Sequence, residues 1–186
     1  MSGSETIRAF VALELGAEMR RAVAELVDAL RPRVSRARWV RSEIAHLTLR
    51  FLGPSSAEQI ETLRPALAEA ARACGPTEAS VAGLGTFPEH GSPRVLWLGM
   101  ALPRPILALQ AACEDAAVAA GFPPEARPFR PHLTLARFRQ RVPRPDLPPA
   151  DLGTARLETL VLFRSDLRPG GAVYSALDRL ALGGAE

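Results

Sequence analysis

The spacing of hydrophobic and polar positions changes period along this chain, and each change marks an element. Residues 7–15 (IRAFVALEL) alternate and carry β-branched and aromatic side chains, which predicts a first strand. Met19, Val23, Leu26 and Leu30 then recur at helical spacing and draw one apolar stripe through an Arg/Glu-rich surface. Residues 38–40 and 44–52 read as extended. The next helix is bounded at both ends: Ser56 and Gln59 form a capping box ahead of Ile60, Leu63, Leu67 and Ala70, and Cys74-Gly75-Pro76 closes it. Residues 81–87 and 94–100 predict two strands joined by a Pro/Gly turn at 88–93. A third helix starts after Pro103-Arg104-Pro105, carries Ile106, Leu109, Cys113 and Ala117 on one face, and stops at Gly121 with Pro123 beyond. Segments 129–139, 157–164 and 173–180 complete the strands, and the Pro-rich stretch 142–149 reads as a surface loop. Strands that follow one another directly favour an α+β fold with antiparallel sheets over a doubly wound parallel one.

Within two of these strands the same tetrapeptide occurs, His46-Leu47-Thr48-Leu49 and His132-Leu133-Thr134-Leu135, separated by nearly half the chain. Side chains alternate across a strand, so His46 and Thr48 share one face and Leu47, Leu49 and Phe51 the other. The same parity sets His132 and Thr134 against Leu133 and Leu135. One such tetrapeptide is ordinary, because Thr suits a strand and His is a common surface residue. Two copies that both keep His and Thr on the polar face point to a shared chemical task. The third histidine, His90, lies in a turn without a motif and reads as a loop residue. Trp39 and Trp97 sit in apolar strand context and read as core.

Imidazole titrates near pH 6.5, so of two facing copies one can donate a proton while the other accepts one. That capacity suits chemistry at a phosphodiester: one His protonates the departing oxygen, the other activates water, and the Thr hydroxyls bond the non-bridging oxygens. No metal is expected, since the only nearby acid, Glu43, has odd spacing to His46 on a strand, and no cofactor is implied. Arg130 shares the parity of His132, which makes its guanidinium a possible phosphate ligand; a plain surface Arg is the alternative.

Composition narrows the class further. With 186 residues, 47% hydrophobic, the chain is long enough to bury roughly 70% of its extended surface without a disulfide or metal staple. Its two cysteines, Cys74 and Cys113, form no metal or redox motif and read as reduced thiols in the cytoplasm. No leader pattern and no apolar run of the ~20 residues a bilayer needs is present, so no membrane partner is expected. All 23 basic residues are Arg. The missing Lys excludes a P-loop, Schiff-base chemistry and a lysyl-adenylate intermediate. A net charge of only +3 suits recognition of a nucleic-acid terminus more than a long backbone track.

The paired HxTx motifs, with WV at 39–40, HLTLRFLG at 46–53, RVLWLG at 94–99, RPFRPHLTLAR at 127–137 and LFRSDL at 162–167, resemble the bacterial and archaeal RNA 2′,3′-cyclic phosphodiesterases. These are also called 2′-5′ RNA ligases and belong to the 2H phosphoesterase superfamily. The resemblance implies a single bilobal α+β domain over residues 1–186, with two pseudo-symmetric antiparallel lobes, helices outside and a central cleft. It implies hydrolysis of a terminal 2′,3′-cyclic phosphate to a 2′-phosphate, and beside it the expectation is a metal-independent, cofactor-free monomer acting on RNA 3′ ends or small cyclic nucleotides. In that pattern His46 matches the proton donor to the leaving 3′ oxygen, His132 the acceptor that activates water, and Thr48 and Thr134 the phosphate-binding hydroxyls. Phe51 and Arg137, five residues after each His, match positions for base contact and phosphate charge. Strand parity disagrees with those last two, and a bulge or strand end after each motif would reconcile them. Formation of a 2′-5′ RNA bond by the reverse reaction, and binding of a nucleotide or RNA end without turnover, are the alternative readings.

Overall fold

The computed structural model describes residues 6–168 and 171–183. In chain order the elements are β1 (Ile7–Glu14), α1 (Ala17–Leu30), β2 (Ala37–Trp39), a 3₁₀ turn (Ser42–Ile44), β3 (His46–Ser55), α2 (Ala57–Ala73), β4 (Thr77–Phe87), β5 (Val95–Ala101), α3 (Arg104–Ala119), β6 (His132–Phe138), β7 (Asp151–Leu157), β8 (Thr159–Arg168) and β9 (Gly171–Ala181). They build a four-stranded sheet ordered β3-β1-β8-β9 and a five-stranded sheet ordered β2-β6-β5-β4-β7. Every strand pair is antiparallel. This is the α+β, two-sheet architecture that the directly joined strands predicted.

The helices form where their sequence signals stand. Met19, Val23, Val27 and Leu30 are the buried positions of α1, so the stripe runs through Val27, and Leu26 is only half-buried beside it. Both arms of the α2 capping box are made, Gln59 N donating to Ser56 Oγ (3.2 Å) and Ser56 N to Gln59 Oε1 (3.1 Å). One hydrophobic core joins the inner faces of both sheets to all three helices, with Leu13, Leu47, Leu63, Leu98, Ile106, Leu133 and Leu160 fully enclosed. Burial of that area is the main force holding the lobes together. On the opposite face of the first sheet a second, smaller cluster of Phe10, Ala12, Val161 and Phe163 packs with Tyr174.

β3 and β6 deviate from strict alternation in the same way. In β3 two consecutive residues, Leu49 and Arg50, are buried, and Val11 and Ala12 of β1 pair with Arg50 and Thr48, so Leu49 is the extra residue of a bulge. In β6 the buried pair is Leu135 and Ala136, and Leu96 and Trp97 of β5 pair with Ala136 and Thr134. Each bulge resets the parity of the residues after it.

Two expectations change. β7 lies ahead of the predicted 157–164 strand; only Ala155 and Leu157 of its seven residues are buried, because it is a sheet edge, and its Gly153 and polar positions hide the alternation. Trp97 does not join the core. Its neighbours Leu96 and Leu98 do, whereas its own ring lies on the other face, over Gly85 and beside Phe87 (centroids 5.4 Å). Trp39 packs half-buried against the core with Arg31 over its ring at 5.5 Å. The 142–149 segment is irregular, as expected, and is fastened to the 88–93 turn: Val142 N donates to Ser92 Oγ (3.1 Å), and Arg144 reaches the Pro88 carbonyl (3.0 Å).

A Cβ added at Gly85 would lie 2.1 Å from Cζ2 of Trp97, so the ring occupies the space a side chain would need. Gly85→Ala is expected to displace the indole and cost about 1–3 kcal/mol, read as a lower urea midpoint. An unchanged midpoint with unaltered tryptophan fluorescence would show that the ring is not seated there.

Candidate active site

β3 and β6 each open on a histidine, and both rings are held by the same local device. His46 Nδ1 bonds the carbonyl of Ile44 (2.7 Å) and His132 Nδ1 bonds the carbonyl of Arg130 (2.6 Å), each two residues upstream. A carbonyl only accepts, so Nδ1 carries the hydrogen in both rings and Nε2 is left for a ligand. Thr48 and Thr134 follow one strand period later on the same face. All four side chains line one cavity of about 200 Å³ between the sheets. His46, Thr48, Arg8, Phe10, Phe51, Ser165 and Tyr174 come from the first sheet, and His132, Thr134 and Arg137 from the second.

The two imidazoles share a tautomer but not a setting. His46 stacks on Phe10 (centroids 4.9 Å, interplanar 29°) and meets Tyr174 edge-on at 5.3 Å. Burial among these rings lowers its pKa; the Ile44 carbonyl raises it less, and the Arg137 guanidinium lowers it further. His132 meets only the edge of Phe87 (5.1 Å) and is more open, and its pKa is also lowered, first by burial and then by Arg137, against the Arg130 carbonyl. Burial raises the pKa of the Tyr174 phenol, which stays protonated at neutral pH. Among the described residues, neither Arg8 nor Arg137 has a carboxylate partner, and no carboxylate lines the cavity. The pocket therefore presents hydroxyls and uncompensated guanidinium charge, which suits an anion.

The bulges settle the parity conflict. Each bulge carries the fifth residue after the histidine onto the polar face, so Phe51, 53% exposed, and Arg137 line the cavity, contrary to the alternation that grouped Phe51 with Leu47 and Leu49. Arg130 stands elsewhere. Its guanidinium pairs with Glu89 and lies 5.7 Å from the Phe87 ring, along a wider groove of about 720 Å³ that shares Thr48, Phe51, His132, Thr134 and Arg137 with the cavity. His90 is exposed in its turn. Arg8, Ser165 and Tyr174 were not found from sequence; they form a row across β1, β8 and β9, because Ser165 pairs with Tyr174 and Ala9 with Arg164. Their only sequence signal was cross-strand register. Phe10 and Phe163, which wall His46, were hidden for the same reason.

Among the described residues no three His, Cys, Asp or Glu side chains cluster as a metal site. Both cysteines are buried and free, and burial pushes the Cys113 thiol up to about 12, far from a thiolate nucleophile. No helix among the described residues is long and apolar enough to cross a membrane.

Comparison with known proteins places this arrangement. A solved Thermus thermophilus structure superposes with a TM-score of 0.85 at 32% identity, covering 97% of this chain and 100% of that one. Escherichia coli LigT in complex with 3′-AMP superposes with a TM-score of 0.84 at 29% identity, covering 96% of this chain and 99% of its own. In sequence, an RNA 2′,3′-cyclic phosphodiesterase of Thermus thermophilus is 35% identical over 187 residues, covering 96% of this chain and 91% of that protein. The enzyme of the same name from Methanothermobacter thermautotrophicus is 30% identical over 179 residues, 92% of this chain and 97% of that protein. The fold is thus that of the LigT-like phosphoesterases. The profile of the 2′-5′ RNA ligase superfamily matches residues 19–164, and the chain belongs to that family.

Both cavity histidines titrate below the ordinary value of 6.5 when folded. Just below that pH the unfolded chain therefore binds more protons than the folded one. Stability is then full above pH 6.5 and falls as pH drops from 6.5 toward the folded values. Thermal melts between pH 7.5 and 5 should show a declining Tm, and His46→Gln should flatten that acid limb. An equally steep limb in the variant would place the cost of acidification outside His46.

Proposed function

We propose that this chain is an RNA 2′,3′-cyclic phosphodiesterase that hydrolyses a terminal 2′,3′-cyclic phosphate to a 2′-phosphate. The observation that carries the reading is the convergence of two identically held imidazoles, each with Nε2 free, on one cavity beside two Thr hydroxyls and Arg137. His132 Nε2 takes a proton from water as its oxygen attacks phosphorus. His46 Nε2 gives a proton to the 3′ oxygen as the P–O3′ bond breaks, and solvent exchange restores both rings. Thr48 and Thr134 donate to the non-bridging oxygens, where charge accumulates, and Arg137 offsets that charge. Phe51 offers an exposed face to the base.

This cycle starts with His46 protonated, whereas burial and Arg137 disfavour that charge in the empty pocket. The phosphodiester anion supplies the missing term, since an opposite charge nearby favours imidazolium. Substrate binding is therefore coupled to proton uptake. The chemistry uses no metal and no cofactor, and joining through a 2′-5′ bond is the same path reversed, driven by the strained cyclic phosphate. Two buried, free thiols suit a reducing compartment, and we read the chain as one bilobal unit working as a monomer in the cytoplasm on RNA 3′ ends or small cyclic nucleotides.

His46→Gln and His132→Gln should each lower turnover of an RNA carrying a 2′,3′-cyclic phosphate by about 10²–10⁴-fold. Circular dichroism should show the fold intact and EDTA should leave the wild-type rate unchanged. Full turnover in either variant, or a rate abolished by EDTA, would sink the two-histidine mechanism. Isothermal titration with a nucleoside 2′-monophosphate in buffers of different ionisation enthalpy should register protons taken up on binding, and affinity should fall as pH rises above 6.5. No proton uptake would mean that His46 does not gain its charge from the ligand.

A further inference from the structure

Arg50 follows the bulged Leu49 of β3 and is 6% exposed, which makes it one of the few polar residues inside the core. Its twin after the second motif is Ala136, and β6 makes the same bulge with that alanine. The bulge therefore needs no guanidinium, and a buried Arg at this position must serve something else, because removing the charge from water is costly. Two of its nitrogens donate hydrogen bonds to carbonyls, and the third makes an ion pair without hydrogen-bond geometry. Nε pairs with Glu114 Oε2 of α3 (2.5 Å), Nη1 donates to the carbonyl of Phe51 (2.6 Å), and Nη2 donates to the carbonyl of Pro123. The other oxygen of Glu114 accepts from Glu125 N (2.9 Å). One side chain thus ties Phe51, α3 and the start of the irregular segment 122–131, which contributes Arg127, Phe129 and Arg130 to the wide groove and ends at His132.

We propose that Arg50 is a positioning residue for the nucleoside side of the site, holding Phe51 and segment 122–131 at a fixed separation across the groove. The proposal rests on the cyclic-phosphodiesterase reading for the identity of the ligand. Phe51 is 53% exposed and its ring meets only Phe10 (centroids 6.1 Å) among the described rings, so the Arg50 bond to its carbonyl adds to a light packing constraint. Arg50 and Glu114 line the wide groove and not the smaller pocket that holds both histidines, so loss of the pair should weaken nucleotide capture more than ring opening.

The test compares wild type, Arg50→Met and Arg50→Met/Glu114→Leu on a nucleoside 2′,3′-cyclic phosphate, with binding of a nucleoside 2′-monophosphate measured by calorimetry. Arg50→Met should raise KM and weaken monophosphate binding by about tenfold, with kcat falling less than KM rises. The double variant replaces a buried ion pair by apolar side chains and should recover the wild-type Tm while keeping the raised KM. Combining Arg50→Met with Phe51→Ala should cost less than the sum of the two single losses, since part of the Arg50 effect passes through the Phe51 ring. Unchanged monophosphate binding in Arg50→Met, or a KM that returns together with Tm in the double variant, overturns the proposal. A wild-type protein that binds the monophosphate but turns over no cyclic substrate, with binding still weakened in Arg50→Met, would instead refute the enzymatic reading and leave the positioning role standing.

Discussion

The site depends on one short hydrogen bond made twice, from imidazole Nδ1 to the carbonyl two residues earlier. Because the acceptor lies just upstream in the chain, in the turn or irregular stretch that leads into each strand, the bond needs no partner from elsewhere in the fold. It fixes which nitrogen faces the ligand and removes a rotational choice that the reaction could not tolerate. Everything else in the cleft then follows from bringing two such strands, one from each sheet, to a common cavity.

Identical motifs do not give identical groups. Around His46 the first sheet closes an aromatic wall of Phe10, Phe163 and Tyr174, whereas His132 has a single edge contact with Phe87 and opens on the groove. The duplication supplies symmetric geometry, and the surroundings supply chemical difference. Two interacting imidazoles share protons as a pair, and a difference in setting favours one of the two singly protonated arrangements over its reverse. Arg137 depresses both rings from one side, so a bound phosphate competes with it for the local potential.

Much of this was legible in the chain. The capping box of Ser56 and Gln59, the helix stripes and the duplicated HLTL all act within a few residues, and local interactions leave local signatures. The family resemblance extended the reading to Phe51 and Arg137, although parity alone opposed both. What escaped was either an edge effect or a product of register. β7 carries little alternation because one side of it meets solvent, and Arg8, Ser165 and Tyr174 are neighbours only once β1, β8 and β9 are aligned. Trp97 was misjudged because its flanking leucines face the core while it faces Gly85. Arg50 looked like one more arginine among 23, and only its burial and its alanine twin set it apart.

The order of strands in the first sheet has a further consequence. β1 lies between β3 and β8, and β8 in turn leads to β9. β1 therefore waits for β8, about 150 residues later, before one of its edges is covered, and the aromatic wall behind His46 closes only when Phe163 and Tyr174 arrive. The five-stranded sheet needs only one short strand, β2, from the early chain. Nascent polypeptide would thus pass through a stage with one half-site built and the other exposed, and competence for catalysis would come as a single event once β8 and β9 have joined the first sheet.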